Sequence, residues 1–379
     1  MWRSLHDAWW RIATQSQPST CSDSLAGAVL SAGAVVYGAA VAARNAAYDH
    51  GWAPSVRLPA MVISVGNLTV GGTGKTTCVE LMAKKFIACR KQVAVLSRGY
   101  GGGGREYVLA WGSGGLLING TAQAPTELLA DEPQVLAQRL GGVPVLVGPD
   151  RVKSGRRAIS QFGAEVIVLD DGFQHRRLAR DCDIVLVRTR MPFGGWQVFP
   201  RGPMRENISA LRRADIIVIT KADEALESVG ALTEHLHALA PSATIVATAH
   251  EPIGLEDVTT RQPYQLSRLD GARVGLLSSI GDPEGFEATV KQLHATIAWH
   301  RTFPDHYRYR LADWKALARP SSGVRPDAIV TTEKDWVRLR PLVAAGGSSS
   351  VPLWVLRVHM KVLSGEHELD DRLARVPCG

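Results

Sequence analysis

The chain has 379 residues, of which 45% are hydrophobic and 21% are charged, and its formal net charge is +7 at pH 7. This length and composition allow two domains of ordinary size with their own cores, and they exclude a disordered tail. The positive charge favours anionic partners, namely phosphorylated substrates, nucleic acid or an acidic membrane surface, without choosing among them.

Five cysteines are scattered along the chain, and none belongs to a C-x-x-C pair. They are Cys21, Cys78, Cys89, Cys182 and Cys378. Zinc ribbons need paired cysteines, and small disulfide frameworks need a dense cysteine pattern, so both classes are disfavoured. The cysteine usage fits a reducing compartment, and we expect a cytosolic location for the folded part of the chain.

An uncharged stretch of 20 residues, 24–43, follows a tryptophan-rich start and ends before Arg44. As a helix it would span roughly 30 Å, which is enough to cross a bilayer. Alanine and glycine dominate it, however, so its drive into hydrocarbon is weak, and Trp and Arg beside an apolar helix are typical of the membrane interface. We favour a helix that lies on or dips into the membrane. A spanning helix and a helix packed on the protein's own core are the alternatives.

A secretory signal peptide is a further interpretation of this segment, because basic residues precede an apolar stretch that ends in small residues. The apolar run begins only at residue 24, which would make an unusually long leader. The glycine-rich stretch GGTGK at residues 71–75 also argues against export, because such stretches are typical of proteins that bind ATP, a cytosolic nucleotide. We therefore predict that the segment is retained as an anchor on the cytoplasmic side of a membrane.

Residues 62–77, VISVGNLTVGGTGKTT, place a glycine-rich loop between an apolar run and the helix-forming segment CVELMAKKF. Backbone N–H groups of such a loop converge on phosphate oxygens, Lys75 supplies a point charge, and the Thr76 hydroxyl can ligate Mg²⁺. The sequence therefore predicts a nucleotide phosphate site. The predicted ATP-binding residues are Thr69, Val70, Gly71, Gly72, Thr73, Gly74, Lys75, Thr76 and Thr77.

The loop departs from the strict pattern G-x-x-x-x-G-K-[ST], because Thr69 stands where the first glycine is expected. It is therefore a variant P-loop. The alternative interpretation is a glycine-rich turn with an incidental lysine.

Short apolar runs rich in β-branched residues alternate with helical patterns from residue 60 onward. They are MVISVGN, QVAVLSRG, VPVLVGP, VIVLDDG, DIVLVRT and DIIVITKAD. Runs that are hydrophobic throughout suit strands buried on both faces, so we predict an α/β fold of the P-loop NTPase type, with a parallel sheet sandwiched by helices. Ligands of such sheets bind beyond the carboxyl ends of the strands. The polar residues and glycine expected at those ends are Gly66, Ser97, Asp150, Asp170, Arg188 and Thr220.

The second half of the chain contains a further set of elements. We predict a strand at TIVATAH, a loop at EPIG, a strand, glycine turn and helix at RVGLLSSIGDPEGFEATVKQLH, a strand at PDAIVTTEKDW, a flexible turn at GGSSS and a strand at LWVLRV. The predicted organisation is a membrane-associated helix (1–50), a P-loop domain (51–245), a smaller α/β domain (246–350) and a strand and tail returning toward the first domain (351–379).

The segment VIVLDDGFQHRR, residues 166–177, ends a predicted strand in two carboxylates. P-loop proteins place their magnesium-binding acid at such a strand end, so Asp170 or Asp171 is a candidate ligand, directly or through water. An Asx turn at the strand end is the structural alternative.

Glycine and arginine follow two other predicted strands, in SRGYGGGGR (97–105) and GPDRVKSGRR (148–157). Arginine forks onto phosphate oxygens better than lysine does, so Arg98, Arg151 and Arg205 are candidates for holding a second anionic group. The alternative for any one of them is a solvated basic surface.

Eight short sequence motifs occur along the chain in this order: GNLTVGGTGKT, SRGYGG, ADEPQVLA, GPDRVKSG, VIVLDDGFQHRRL, FPRGPMREN, FPDHYRY and TTEKDWVRL. Together they resemble the tetraacyldisaccharide 4'-kinase family of lipid A biosynthesis, from about residue 55 to residue 340. The resemblance implies transfer of the ATP γ-phosphate to the 4'-hydroxyl of an acylated glucosamine disaccharide 1-phosphate lipid, with Mg²⁺ as cofactor. It also implies a peripheral or monotopic enzyme at the cytoplasmic face of the bacterial inner membrane, with no nucleic-acid partner.

The resemblance carries roles onto matching residues. Asp131 becomes the catalytic carboxylate, assisted by His306 and by Lys75 of the P-loop. The implied metal-site residues are Thr76, Glu132, Asp170 and Asp171, and the implied substrate-binding residues are Arg98, Tyr100, Arg151, Gln174, His175 and Arg205.

These residues also have ordinary structural interpretations. Asp131 precedes Glu132 and Pro133, a usual helix start, so an N-cap role is its default. His306 in FPDHYRY would ordinarily be a surface or packing residue, and Asp305 is placed to cap or orient it. His175 is either catalytic or a hydrogen-bonding residue near the metal.

Three rival functions stay open from sequence alone. A GTPase is suggested by TKAD, residues 220–223, which resembles the guanine-binding [NT]-K-x-D motif, but D-x-x-G is absent because Phe173 stands where the glycine is needed. A partitioning ATPase would need a lysine at Val70. A non-enzymatic membrane adaptor would need a vestigial P-loop. The GGGG run at 101–104 and Trp196 leave the details of the acceptor pocket open.

Overall fold

The computed structural model describes residues 21–99, 106–112, 115–120, 129–318, 325–346 and 351–376. These residues form two compact units. Unit 1 takes the described residues of Met1–Arg98, Val143–Ala249 and Met360–Gly379, and unit 2 takes those of Gly99–Gly142 and His250–His359. The described residues of 99–142, a segment that the sequence pattern groups with the P-loop domain, thus fall in unit 2.

The strands follow in chain order. They are β1 (Met61–Asn67), β2 (Val93–Ser97), β3 (Tyr107–Gly112), β4 (Gly115–Ile118), β5 (Val145–Val147), β6 (Val166–Asp170), β7 (Cys182–Arg188), β8 (Ile216–Thr220), β9 (Thr244–Asp257), β10 (Pro263–Tyr264), β11 (Arg273–Ser278), β12 (Thr296–Thr302), β13 (Ala328–Thr332) and β14 (Leu353–Ser364).

The helices of the described residues are α1 (Cys21–Asp49), α2 (Lys75–Ala88), α3 (Asp131–Leu140), α4 (Arg151–Phe162), α5 (Leu226–Leu239), α6 (Pro283–Gln292), α7 (Leu311–Ala318), α8 (Glu333–Gly346) and α9 (Glu366–Ala374).

The sheet of unit 1 has the order β9-β8-β7-β1-β6-β2-β5, and every neighbouring pair is parallel. Strands β1, β2, β6 and β8 are buried at every position. Apolar side chains on both faces of a strand stabilise a sheet that is covered on both sides. The predicted α/β class and all six predicted strands of this unit are confirmed.

Unit 2 contains the parallel order β12-β11-β13-β14, the β9–β10 pair and the β3–β4 hairpin, both antiparallel. The predicted loop at EPIG is wrong, because β9 continues through it to Asp257. Pro252 and Gly254 favour turns in isolation, but neighbouring strands keep the backbone extended here. Sequence patterns also missed β12 and the hairpin. The predicted turn GGSSS lies largely outside the described residues.

Helix α1 packs on unit 1 along one side only. Tyr37 donates a hydrogen bond to the carbonyl oxygen of Arg205 at 3.1 Å, and its ring meets the Phe199 ring edge-on at 5.7 Å. Arg44 and Asn45 both bond the carboxylate of Glu206, at 3.2 and 2.8 Å. No residue of the most apolar window within Ala26–Asp49 is buried, so this segment is not a core helix.

The opposite side of α1 is exposed and uncharged. It consists of Ala28, Val29, Ser31, Ala32, Val35, Val36, Ala39, Ala40, Ala42 and Ala43. By length and composition alone, Ala26–Asp49 can cross a membrane, which is weak evidence because signal sequences share these properties. We call these ten residues the outer face of α1.

Gly66, at the end of β1, lies against the turn that follows β6. A Cβ atom added at Gly66 would stand 2.6 Å from Cβ and 2.9 Å from the backbone nitrogen of Phe173. Only glycine permits this approach, which brings the DDGF turn beside the strand that enters the phosphate loop.

Replacing Gly66 by alanine is expected to destabilise unit 1 by about 1–3 kcal/mol, the usual effect of overpacking a buried site. Urea unfolding of the two proteins measures the difference. Gly230→Ala is the control, because a Cβ atom there meets nothing within 4 Å inside α5. That variant should be as stable as the parent or slightly more stable. Equal stabilities of the Gly66→Ala variant and the parent would contradict the packing argument.

Candidate active site

The phosphate loop joins β1 to the first residue of α2. Gly71 and Gly74 have positive φ angles of 115° and 84°, a conformation that side chains disfavour. Gly74 is the N-cap of α2, which therefore begins at Lys75. The loop is held from outside by the segment 203–205, since Val70 donates to the Pro203 carbonyl at 2.9 Å. Free N–H groups at a helix start favour an anion.

Lys75 lies in a cluster of charged and amide side chains in unit 1. Its ammonium donates to the Asn67 side-chain oxygen at 3.2 Å and stands 3.7 Å from Asp171 Oδ1. Arg205 Nη1 donates to both oxygens of Asp171, at 2.9 and 2.8 Å, and to the Gln174 side chain at 3.3 Å. Gln174 in turn donates to the Asn67 carbonyl at 3.0 Å. Four predicted site residues thus meet here, together with Asn67.

The charge state of Asp171 follows from this cluster. Burial raises the pKa of its carboxyl, but Lys75 and Arg205 outweigh burial and hold the pKa below its ordinary value. Asp171 is therefore ionised at neutral pH and already neutralised by two cations. Asp171 is thus a partner of Lys75 and Arg205 in this structure, and its role at a metal stays a prediction.

Asp170 is buried at the end of β6 and accepts a hydrogen bond from Ser97 Oγ at 3.1 Å. Thr76 is buried in the first turn of α2. A hydroxyl and a carboxylate are the hard oxygen donors that Mg²⁺ prefers, so these residues fit the implied ion. Glu132, the fourth implied metal residue, belongs to unit 2.

The remaining residues that the resemblance assigns to substrate binding differ in how deeply they are buried. Arg151 is 4% exposed and begins α4, whose N-cap is Asp150. Burial, reinforced by Arg151 and Arg180, lowers the pKa of His175 to about 4, so this ring is neutral. The side chain of Arg98 is exposed. Tyr100 lies outside the described residues.

Unit 2 brings together two predicted residues that are 175 positions apart. His306 Nδ1 donates to Asp131 Oδ2 at 3.2 Å, and Arg338 Nε stands 3.4 Å from the same oxygen. The hydrogen bond from His306 to Asp131 raises the pKa of the imidazole above its ordinary value. Asp131 is the first residue of α3 and Ala130 is the N-cap, so the N-cap interpretation of Asp131 is wrong.

Glu132 lies beside this pair. Its carboxylate accepts a hydrogen bond from Lys334 Nζ at 3.2 Å and stands 3.7 Å from His306 Nε2. Burial opposes ionisation, but Lys334 and His306 lower the pKa of Glu132 to about 2. Ligand atoms of Asp131, Glu132 and His306 lie within 4.8 Å of one another, a spacing that suits a metal ion. Lys334 and Arg338 already neutralise the two acids, which weakens their attraction for a cation.

Three residues of these clusters were missed by sequence reasoning: Asn67, Lys334 and Arg338. Each lies inside a motif that the sequence displays, GNLTVGGTGKT for Asn67 and TTEKDWVRL for the other two. Position in a motif was the available signal, but neither side chain of α8 could be assigned to Asp131 or Glu132 without the fold.

Asp131→Asn is expected to lower the pKa of His306 toward its ordinary 6.5, because the raising hydrogen bond to a carboxylate is lost. NMR titration of the histidine rings measures the shift. His367, which is exposed and pairs with Asp371 in unit 1, is the internal control. Because the pKa of His306 is raised in the folded protein, protonation of its ring stabilises the folded state. This stabilisation is fully present below pH 6.5 and is lost as the pH rises through the pKa of the folded state. An unshifted His306 in the variant would refute the pairing.

The family described as "Tetraacyldisaccharide-1-P 4'-kinase" matches residues 26–377. Tetraacyldisaccharide 4'-kinase of Anaeromyxobacter dehalogenans (strain 2CP-C) is 40% identical over 374 residues, covering 98% of this chain and 94% of its own. The enzyme of the same name from Syntrophus aciditrophicus is 40% identical over 333 residues, with 86% and 87% covered.

A solved structure is similar across most of the fold. It is the "apo" form of LpxK from Aquifex aeolicus in complex with ATP, which is 27% identical with a TM-score of 0.68 and covers 90% of this chain and 96% of its own. The GTPase alternative is not favoured by these matches. From the matched family, the relatives and the shared fold, the chain belongs to the tetraacyldisaccharide 4'-kinase family, whose members phosphorylate the lipid A precursor.

Proposed function

We propose that this kinase binds ATP through the Lys75 cluster and activates the acceptor 4'-hydroxyl through the Asp131–His306 pair. The main support for this proposal is the hydrogen bond between Asp131 and His306. These residues lie 175 positions apart in the chain and come together only in the folded protein. The acceptor we propose is an acylated glucosamine disaccharide 1-phosphate lipid, in keeping with the names of the relatives.

The donor half uses the N-terminus of α2. Backbone N–H groups from Gly71 to Gly74 bind phosphate oxygens, and Lys75 neutralises charge on the transferring group. Because the transition state of phosphoryl transfer is loose, positioning and neutralisation contribute most of the acceleration. Arg205 contributes by holding Asp171, and therefore Lys75, in place.

Mg²⁺ would be held by Thr76 and Asp170, which are buried and carry the oxygen atoms that this ion prefers. When bound, the ion neutralises charge on the ATP phosphates. Asp171 supports the site as the partner of Lys75 and Arg205. Glu132, which the sequence resemblance assigns to the metal, is proposed instead to hold Lys334 beside the acceptor group.

The acceptor half uses Asp131 as the proton acceptor. A sugar hydroxyl is a poor nucleophile at neutral pH, so a carboxylate within hydrogen-bond reach assists by taking its proton as the phosphoryl group transfers. His306 donates to Oδ2 of this carboxylate and so orients Oδ1 toward the incoming hydroxyl. Arg151, buried and cationic, is proposed to bind a phosphate oxygen of a substrate.

The test is incubation of the purified protein with γ-labelled ATP, Mg²⁺ and the disaccharide 1-phosphate lipid in detergent, followed by thin-layer separation of the lipids. Wild type should label the lipid. Asp131→Ala should lower kcat about 10²-fold or more while ATP binding persists, on the scale of a lost general base. Lys75→Ala should lose both phosphate binding and transfer.

Two outcomes would contradict the assignment. Absence of lipid labelling by folded wild type would overturn the function of the site, and near-normal turnover by Asp131→Ala would overturn the role of that carboxylate. Arg261→Ala is the matched control, because this arginine is exposed and lies in the turn between β9 and β10.

We also propose that the outer face of α1 lies in the interfacial layer of an anionic membrane, on the side where ATP is present. Val35 and Val36 are 73% and 71% exposed although they are apolar, and no charge interrupts the face. The inner side of the helix is tied to Glu206 and Arg205, so the helix cannot leave unit 1 to span a bilayer without losing those contacts. A peripheral or monotopic attachment fits both observations.

Val35→Asp combined with Val36→Asp should weaken binding to vesicles of phosphatidylcholine and phosphatidylglycerol at least about tenfold, because charge placed in the acyl boundary is costly. Flotation of protein with the vesicles measures the binding. Leu226→Asp is the control, since Leu226 is 64% exposed on α5. Equal flotation of the double variant and wild type would remove this face from the membrane contact.

A further inference from the structure

Helix α8 lies along α3 and supplies opposite charges to it. Arg338 contacts Asp131, Lys334 contacts Glu132, and Glu333 pairs with Arg139 at the other end of α3. Each charged residue of α3 named here thus has a partner on α8. The arrangement is more specific than a solvated surface, because the side chains of Arg338, Arg139 and Glu333 are at most 10% exposed.

Arg338 is the most constrained of these residues. Its Nη1 donates to Ser279 Oγ at 2.9 Å and to the Tyr307 carbonyl at 3.2 Å. Its Nη2 donates to the Ser279 carbonyl at 3.0 Å and to Asp335 Oδ1 at 3.1 Å. Asp335 is fully buried and is held by Thr332 and Tyr309. A planar guanidinium with this many partners has one orientation.

The contacts of Arg338 include both sides of the catalytic pair. Tyr307 is the neighbour of His306 in the chain, and Asp131 is reached directly by Nε at 3.4 Å. Arg338 and His306 both approach Oδ2 of Asp131. One rigid side chain therefore sets the position of the loop that carries His306 and the rotamer of the carboxylate that His306 contacts.

We infer that Arg338 is a positioning residue for the phosphoryl acceptor step, holding Asp131 and His306 in register so that Oδ1 of Asp131 meets the sugar hydroxyl. The inference rests on the proposed function of that pair. Arg338 is only 8% exposed and does not need to touch substrate. Its contribution lies in geometry, and a displacement of about 1 Å in an active site can cost about 10²-fold in rate.

The first test compares Arg338→Gln with wild type in the lipid-labelling assay. We expect kcat to fall about 10- to 100-fold, while the KM for ATP changes less than about twofold, because ATP binding does not use this residue. Arg338→Lys keeps the charge but cannot make all the contacts, so its kcat should lie between the two. Arg261→Gln, on an exposed arginine of the same unit, should match wild type.

A double-mutant cycle separates positioning from general stability. If Arg338 acts through Asp131, Arg338→Gln should lower kcat less than about threefold in an Asp131→Asn background, because the group that it positions is already disabled. The same cycle with Arg338→Lys serves if Arg338→Gln does not fold, as judged by its thermal transition.

Three results would overturn the inference while leaving the proposed function intact. They are wild-type kcat in Arg338→Gln, an equal loss of kcat in both backgrounds, and a loss that appears only in the KM for ATP. Absence of labelling by wild type would instead contradict the proposed function, so the two failures are distinguishable.

Discussion

The close contact between Gly66 and Phe173 is the constraint on which the proposed donor site of unit 1 depends. It allows the turn after β6 to reach the strand that enters the phosphate loop. Asp171 then lies beside Lys75, and Arg205 bonds Asp171 from the neighbouring segment. A side chain at Gly66 would push the turn after β6 away from β1. The backbone packing at Gly66 therefore determines how close Asp171 lies to Lys75.

In unit 2, cations of α8 neutralise the acidic residues at the start of α3. Asp131 and Glu132 begin a helix, where the dipole favours acids, yet each also faces a cation from α8. Buried carboxylates without partners would be costly, and the pairing with Lys334 keeps Glu132 ionised. The same pairing fixes the positions of the Asp131 and Glu132 side chains. Phosphoryl transfer through a loose transition state depends more on such fixed positions than on a strong base.

In the proposed membrane attachment, helix α1 connects the binding of a soluble donor, ATP, with access to a membrane-bound acceptor. Its inner side contacts the backbone of Arg205 and the carboxylate of Glu206, next to the residue that holds Asp171. Its outer face carries no charge. Attachment to a membrane through that face would therefore hold the donor site of unit 1 near the bilayer surface.

The sequence by itself determined the α/β class, the strands of the parallel sheet and the phosphate loop, because buried strands and glycine-rich turns are local patterns. It also gave Asp131 and His306 as candidate catalytic residues, through the resemblance of short motifs. Tertiary structure decided the continuation of β9 through EPIG, the hairpin, and the division of 99–142 from the P-loop unit. It also decided which cation meets which carboxylate, as Arg338 and Lys334 show. These outcomes depend on contacts between residues far apart in the chain, which no local pattern encodes.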